Sequence, residues 1–136
     1  MKAYFGRRYM LSASHRLHTE ALSAEANRAA YGKCNNPNGH GHNYIVEVLV
    51  GGPVDMETGM VVNLAELDEV VQTKVIQRFD HTNLNLDPLF LNRVPTTENL
   101  CRAIYDLLKG VPPACVESVR VEETENNFFQ YFGERE

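Results

Sequence analysis

The stretch GKCNNPNGHGHNYIVEVLV, residues 32–50, decides how the chain reads. Its second half, YIVEVLV, alternates in a period of two and runs into Gly51-Gly52-Pro53. That pattern predicts a strand over 42–50 that ends at the glycines. Its first half carries a lone thiol, Cys34, and the pair His40-x-His42. Strand residues two apart face the same way, ~6.6 Å apart along the chain, so two imidazoles entering a strand can aim at one point.

Working outward, residues 3–17 alternate loosely, with Ala3, Phe5, Tyr9, Leu11 and Ala13 on one parity, and predict a first strand. Residues 22–31 read as a short helix opening at Ser23, inside a polar excursion. Asn63 followed by Glu66 resembles a capping box, and Leu64, Leu67, Val71 and Val75 follow at steps of three and four, which predicts an amphipathic helix of about three turns. Residues 80–92 read as a loop. Thr96 can cap a further helix whose Leu100, Ile104, Leu107 and Leu108 share a face, closed by Lys109-Gly110 and Pro112. Val119 and Val121 mark a third strand. Phe128 to Phe132 mark a fourth, hairpin-linked through Asn126-Asn127. The order predicts an α+β fold, a four-stranded antiparallel sheet with helices covering one face. Two open sheet edges are a hazard that assembly through those edges would remove.

The 136 residues suit one domain spanning 1–136. A formal net charge of −5 disfavours a general nucleic-acid binder, and means that a site for a phosphorylated ligand must concentrate cations locally. Cys34, Cys101 and Cys115 are odd in number and widely spaced, which does not describe a disulfide framework. The N-terminus has no signal-like apolar region, and no segment approaches the ~18 apolar residues of a membrane span. We expect a soluble, reducing, cytoplasmic setting, with no membrane or nucleic-acid partner.

Zinc commonly takes three or four His or Cys ligands. Among five histidines, the third ligand beside His40 and His42 is expected to be His15, at the end of the first strand within SASHRL. His18 is expected to be solvated. Gly39 and Gly41 remove side chains that would crowd a metal. Three histidines without a fourth protein ligand describe a catalytic site with an open position, whereas Cys34 as fourth ligand would close a structural one. Spacing alone allows both, and His-x-His also occurs as a hydrogen-bonded core pair or by chance. Cys101 and Cys115 are assigned to packing.

In chain order, SASHRL, YGKCNNPNGHGHNY, TGMVVNLAEL, DHTNL, TTEN and ETENN together resemble the 6-pyruvoyl-tetrahydropterin synthase family, over nearly the whole chain. The resemblance implies the tunnelling fold, in which trimers close edge to edge into a barrel and two trimers stack as a homohexamer. It implies conversion of 7,8-dihydroneopterin triphosphate to 6-pyruvoyl-tetrahydropterin with release of triphosphate, a step toward tetrahydrobiopterin. The family's residues map to zinc ligands His15, His40 and His42, and to the catalytic Cys34. They map also to an Asp80-His81 pair supplied across a subunit boundary, and to pterin contacts at Thr96, Thr97, Glu98 and Glu123. Arg16 and Lys33, with Arg7, Arg8 and Arg28, are candidates for the triphosphate. Members often carry a basic residue after HGHNY where this chain has Ile45.

Two rivals remain. 6-Carboxy-tetrahydropterin synthase of the queuosine pathway shares fold, zinc and substrate, but usually has three residues between cysteine and HGH where five, NNPNG, stand here. A non-catalytic zinc-stabilised interaction module would instead use Cys34 to close the metal shell.

Overall fold

The computed structural model describes residues 2–113 and 115–134. Its elements run β1 (Ala3–His15), α1 (Ala24–Tyr31), β2 (His40–Gly52), α2 (Leu64–Val71), α3 (Gln77–Phe79), β3 (Thr82–Asn83), α4 (Thr97–Leu108), β4 (Cys115–Glu122) and β5 (Phe128–Tyr131). Each expected helix start is capped by the expected side chain. Ser23 accepts from the Ala26 N–H, Asn63 from the Glu66 N–H and Thr96 from the Asn99 N–H, each at 3.1 Å.

A π-helical turn, Gln72–Ile76, joins α2 to α3, so the second helical run continues past the expected three turns. Its buried residues Leu67, Val71, Val75 and Phe79 recur every fourth position. On an α-helix that spacing drifts about 40° per step around the axis. The wider turn absorbs the drift and keeps the stripe on the core, and it brings Ile76 in beside Val75.

The sheet has five strands in the order β3-β1-β2-β4-β5, not the four expected. β1–β2, β2–β4 and β4–β5 pair antiparallel. The extra strand comes from the segment read as a loop and pairs parallel with Ala13 and Ser14 of β1. Two residues are too few to show a period. Long-range bonds to Ser12 make this strand: its N–H donates to Asp80 Oδ1 at 2.8 Å and its carbonyl accepts from the His81 N–H at 2.5 Å. The loop also holds two single 3₁₀ turns, Leu84–Leu86 and Pro88–Phe90.

One sheet face carries Leu11, Ala13, Tyr44, Val46, Val48, Val50, Val119 and Val121 into the core, against Leu67 and Val71 of α2 and Leu100, Ile104 and Leu108 of α4. The other face is mixed, with ion pairs Arg8–Glu47 at 3.0 Å and Arg120–Glu122 at 3.1 Å beside exposed Met10 and Phe128. Helix α1 stands apart, tied down by buried Asn27. The Asn27 side chain accepts from the Thr19 N–H and donates to the carbonyls of Thr19, Leu22 and Ser23. Among the described residues, no helix is long and apolar enough to cross a membrane.

Ile104 is fully buried between α4 and the sheet. Ile104→Ala should lower the free energy of unfolding by about 2–5 kcal/mol, mostly through the cavity left behind. Exposed Lys74→Ala should stay within about 0.5 kcal/mol. Urea titrations followed by circular dichroism check both values.

Candidate metal centre and active site

The β1–β2 register sets His15 directly opposite His40 and Ala13 opposite His42. Directly opposed residues share a face with Cβ atoms about 4.5–5.5 Å apart. That face is the core face, continued past the helices to the end of the sheet. His15 Nε2 lies 3.3 Å from His40 Nε2, and His40 Nε2 lies 2.8 Å from His42 Nε2. The three rings meet edge to face with centroids 4.6–5.0 Å apart. His15 is fully buried.

The His15 tautomer follows from its neighbours. Its Nδ1 lies 2.8 Å from the Pro95 carbonyl, which can only accept, so Nδ1 carries the proton and Nε2 presents a lone pair. The Tyr44 hydroxyl sits 3.2 Å from the same Nδ1. Burial pushes both the His15 and His42 imidazoles below their ordinary value, so both are neutral at pH 7. Neutral rings whose nitrogens converge this closely form a donor set for a cation. A tetrahedral zinc with Zn–N near 2.0–2.1 Å would space its nitrogens about 3.3 Å apart. His40 Nδ1 is buried and has no hydrogen-bond partner among the described residues.

The donor set extends in two directions. Ligand atoms of His15, Cys34 and His40 lie mutually within 4.8 Å, and so do those of His15, His42 and Glu123. Cys34 is a free, half-buried thiol in the 3₁₀ turn Gly32–Asn35. Two bonds to Leu17 hold this turn against the end of β1. The Leu17 N–H donates to the Cys34 carbonyl at 2.7 Å, and the Asn35 Nδ2 donates to the Leu17 carbonyl at 2.7 Å. Burial, then the Glu123 charge, pushes the Cys34 thiol up. His18, expected in solvent, is partly buried: Asn35 Nδ2 lies 3.1 Å from its Nδ1, and its Nε2 lies 3.3 Å from Glu20. The correction comes from Asn35, whose amide reaches His18 and Leu17 together.

Gly39 serves geometry rather than space around a metal. It has φ 72°, and a Cβ there would fall 2.9 Å from the His15 carbonyl oxygen.

Glu123 follows the last residue of β4. Its Oε2 accepts from the Thr97 hydroxyl at 2.5 Å and stands 4.0 Å from His42 Nε2. Burial is the largest influence and opposes its charge, but the Thr97 bond, His42, the Asn127 bond and His15 together hold the carboxyl below its usual range. Thr97 is buried, Thr96 is spent on the α4 cap, and Glu98 is exposed in the first helical turn.

Asp80 and His81 lie elsewhere. His81 Nδ1 is 2.9 Å from Asp80 Oδ2, and its side chain is 82% exposed at φ 59°. It lines a recess with Ser12, Asn43 and Thr82, whereas Cys34 lines a separate cavity of about 740 Å³ with His40; His42 borders both. The chain therefore brings together His15, His40, His42, Cys34, Thr97 and Glu123, and leaves Asp80-His81 outside that group. Pro95, Tyr44 and Asn35 went unnoticed in the sequence. Tyr44 shares strand parity with His40 and His42, which is a readable signal; Pro95 acts through its backbone carbonyl and Asn35 through an amide that reaches residues 17 and 18 positions away, and neither leaves one.

The family model described as 6-pyruvoyl tetrahydropterin synthase matches residues 5–134. The chain is 49% identical over 135 residues to the 6-pyruvoyl tetrahydrobiopterin synthase of Homo sapiens, covering 98% of this chain and 93% of that protein. It is 46% identical over 134 residues to the Drosophila melanogaster protein of the same name, covering 96% and 80%. The solved structure of Caenorhabditis elegans 6-pyruvoyl tetrahydropterin synthase superposes with a TM-score of 0.93 at 40% identity, covering 98% of this chain and 97% of that one.

The Ser12 N–H bond is the largest influence lowering the Asp80 carboxyl; burial opposes it and His81 adds to it. The folded value thus lies below the ~3.9 of an unfolded Asp. The tie stabilises the fold fully above about pH 4 and is lost as pH falls through the lower folded value. In ¹⁵N–¹H spectra the Ser12 amide should titrate with a midpoint below 3.9, and Asp80→Asn should abolish that titration.

Proposed function

This chain belongs to the 6-pyruvoyl tetrahydropterin synthase family, and on that premise we propose that it is a lyase converting 7,8-dihydroneopterin triphosphate to 6-pyruvoyl-tetrahydropterin with loss of triphosphate, toward tetrahydrobiopterin. The observation that carries the reading is the convergence of three imidazole nitrogens beside an unpaired, half-buried thiol.

The reaction moves hydrogens between carbons of a hydroxylated side chain and expels triphosphate. His15, His40 and His42 would hold zinc, which supplies a Lewis acid that acidifies side-chain hydroxyls and favours the Cys34 thiolate. Cys34 takes the carbon-bound proton. Its turn is fixed by Leu17 on the strand that carries His15, so base and metal ligands keep one geometry. Glu123 accepts the two parallel N–H donors of the pterin edge, with Thr97 orienting its carboxylate and Thr96 and Glu98 at the same helix start. His81, in contact with Asp80, is the second acid–base group. Its exposure and separate recess fit service to a site completed by another subunit. The residues of β1 before β3 and the free edge of β5 offer the pairing surfaces for a barrel-forming trimer and a homohexamer. We read residues 1–136 as one such domain, working in the cytoplasm, where free cysteines persist.

A second reading has its own support. The His15–Cys34–His40 grouping could close a structural zinc and make a non-catalytic module. Incubation of metal-loaded protein with dihydroneopterin triphosphate should give 6-pyruvoyl-tetrahydropterin and triphosphate by mass, and a chelator should stop it. A carboxy product with acetaldehyde would assign the queuosine-pathway reaction instead.

Cys34→Ala separates enzyme from module. It should retain one zinc per chain by elemental analysis and lose turnover at least a hundredfold, the usual scale of general-base catalysis. Loss of the metal together with the fold would support the module.

A further inference from the structure

We propose that Asn85 is a positioning residue for Cys34, its side-chain amide completing the sheet edge at Arg16 and so holding residues 16–18, which clamp the Cys34 turn; this rests on the function given above, in which Cys34 is the base. β3 ends at Asn83 and β1 at His15. Their parallel pairing sets Ala13 against Thr82 and Ser14 against Asn83. Arg16 and Asn85 stand at the same offset, 69 residues. There the side chain replaces the missing strand. Asn85 Oδ1 accepts from the Arg16 N–H at 2.7 Å, and Asn85 Nδ2 donates to the Arg16 carbonyl at 2.9 Å. The backbone of a neighbouring parallel strand would supply the same two bonds.

Each of the three residues after β1 grips the turn. Arg16 Nε donates to the Asn35 carbonyl at 3.3 Å. Leu17 spends both backbone groups, its N–H on the Cys34 carbonyl and its carbonyl on Asn35 Nδ2, at 2.7 Å each. The Leu17 carbonyl thereby fixes which end of the Asn35 amide donates. His18 Nδ1 lies 3.1 Å from the same Asn35 Nδ2 and accepts its other N–H. Leu17 and Asn35 are both buried. The turn itself is a four-residue 3₁₀ piece, Gly32–Asn35. Such short pieces have poor internal hydrogen bonds, so the place of the thiol depends on these outside contacts.

Asn85 is itself fixed, its N–H donating to Asn83 Oδ1 at 3.0 Å. The segment 80–85 thus holds β1 at two points, Ser12 through Asp80 and His81, and Arg16 through Asn85. The β1–β2 ladder stops at His15 and His40. Beyond that pair, Asn85 is what carries the sheet pattern on toward the clamp. A misplacement of about 1 Å can cost on the order of a hundredfold in rate, so a residue that never touches substrate can still govern turnover.

Metal-loaded Asn85→Ala should lower kcat about tenfold and leave KM within about twofold, because the base is displaced while the binding groups stay. Hydrogen exchange at the Leu17 amide, which bonds to Cys34, should speed up about tenfold, the scale of one lost hydrogen bond. Asn85→Asp keeps the side-chain shape and the acceptor for the Arg16 N–H, and should fall between Asn85→Ala and the parent on both measures. Metal content by elemental analysis should not change, since the β1–β2 register holds the histidines. Asp87→Ala cuts the Arg78 ion pair in the same loop and should leave kcat and Leu17 exchange at parent values. Folded Asn85 variants with the kcat and Leu17 exchange of an active parent would overturn the proposal and keep the function. Slower turnover without faster Leu17 exchange, loss of the metal, or an equal loss of kcat in Asp87→Ala would also overturn it. Faster Leu17 exchange in Asn85→Ala, with no turnover by the parent, would keep the clamp and sink the function.

Discussion

The constraint on which the site depends is the antiparallel register that sets His15 against His40. Thirteen residues of each strand pair in that frame. A slip of one residue would send every core side chain of a strand to the opposite face. Tyr44, Val46, Val48 and Val50 are all fully or almost fully buried on the face that carries the histidines, so hydrophobic packing holds the register. The donor set is thus held by the core rather than by its own weak contacts. Its position at the end of the sheet leaves His40 and His42 only partly buried and open to a ligand.

Backbone contacts around the centre fix its chemistry. The Pro95 carbonyl chooses the His15 tautomer, and Leu17 anchors the Cys34 turn through both its N–H and its carbonyl. Left unbonded at such depth, each group would cost about 1–3 kcal/mol, so the same contacts that satisfy the backbone also preorganise the thiol. Both signs of charge border the centre: the Glu123 carboxylate, bonded to Thr97, lies 4.0 Å from His42, and Arg16, Arg28 and Lys33 line the cavity shared by Cys34, His40 and His42. An acidic chain can accommodate a polyanion only by such local concentration of positive charge.

His81 shows a different economy. It sits in the left-handed region, where a non-glycine residue is uncommon. Its N–H and the neighbouring Asp80 carboxylate grip the two sides of Ser12. That grip creates β3 and fixes the exposed Asp80-His81 pair at a sheet margin.

Sequence alone determined the features that depend on neighbours in the chain. Period-two alternation gave β1 and β2, side-chain oxygens three residues ahead of an amide gave the caps at Ser23, Asn63 and Thr96, and the quoted motifs gave the family. His40 and His42 could be aimed together because a strand puts them on one face. Tertiary structure decided what depends on distant partners. The two-residue β3, the π turn, His18 drawn in by Asn35, Thr97 meeting Glu123 and the cations gathered beside Cys34 involve residues far apart in the chain or too few to show a period. Their placement follows from how packed elements route the loops, and residue spacing records nothing of that route.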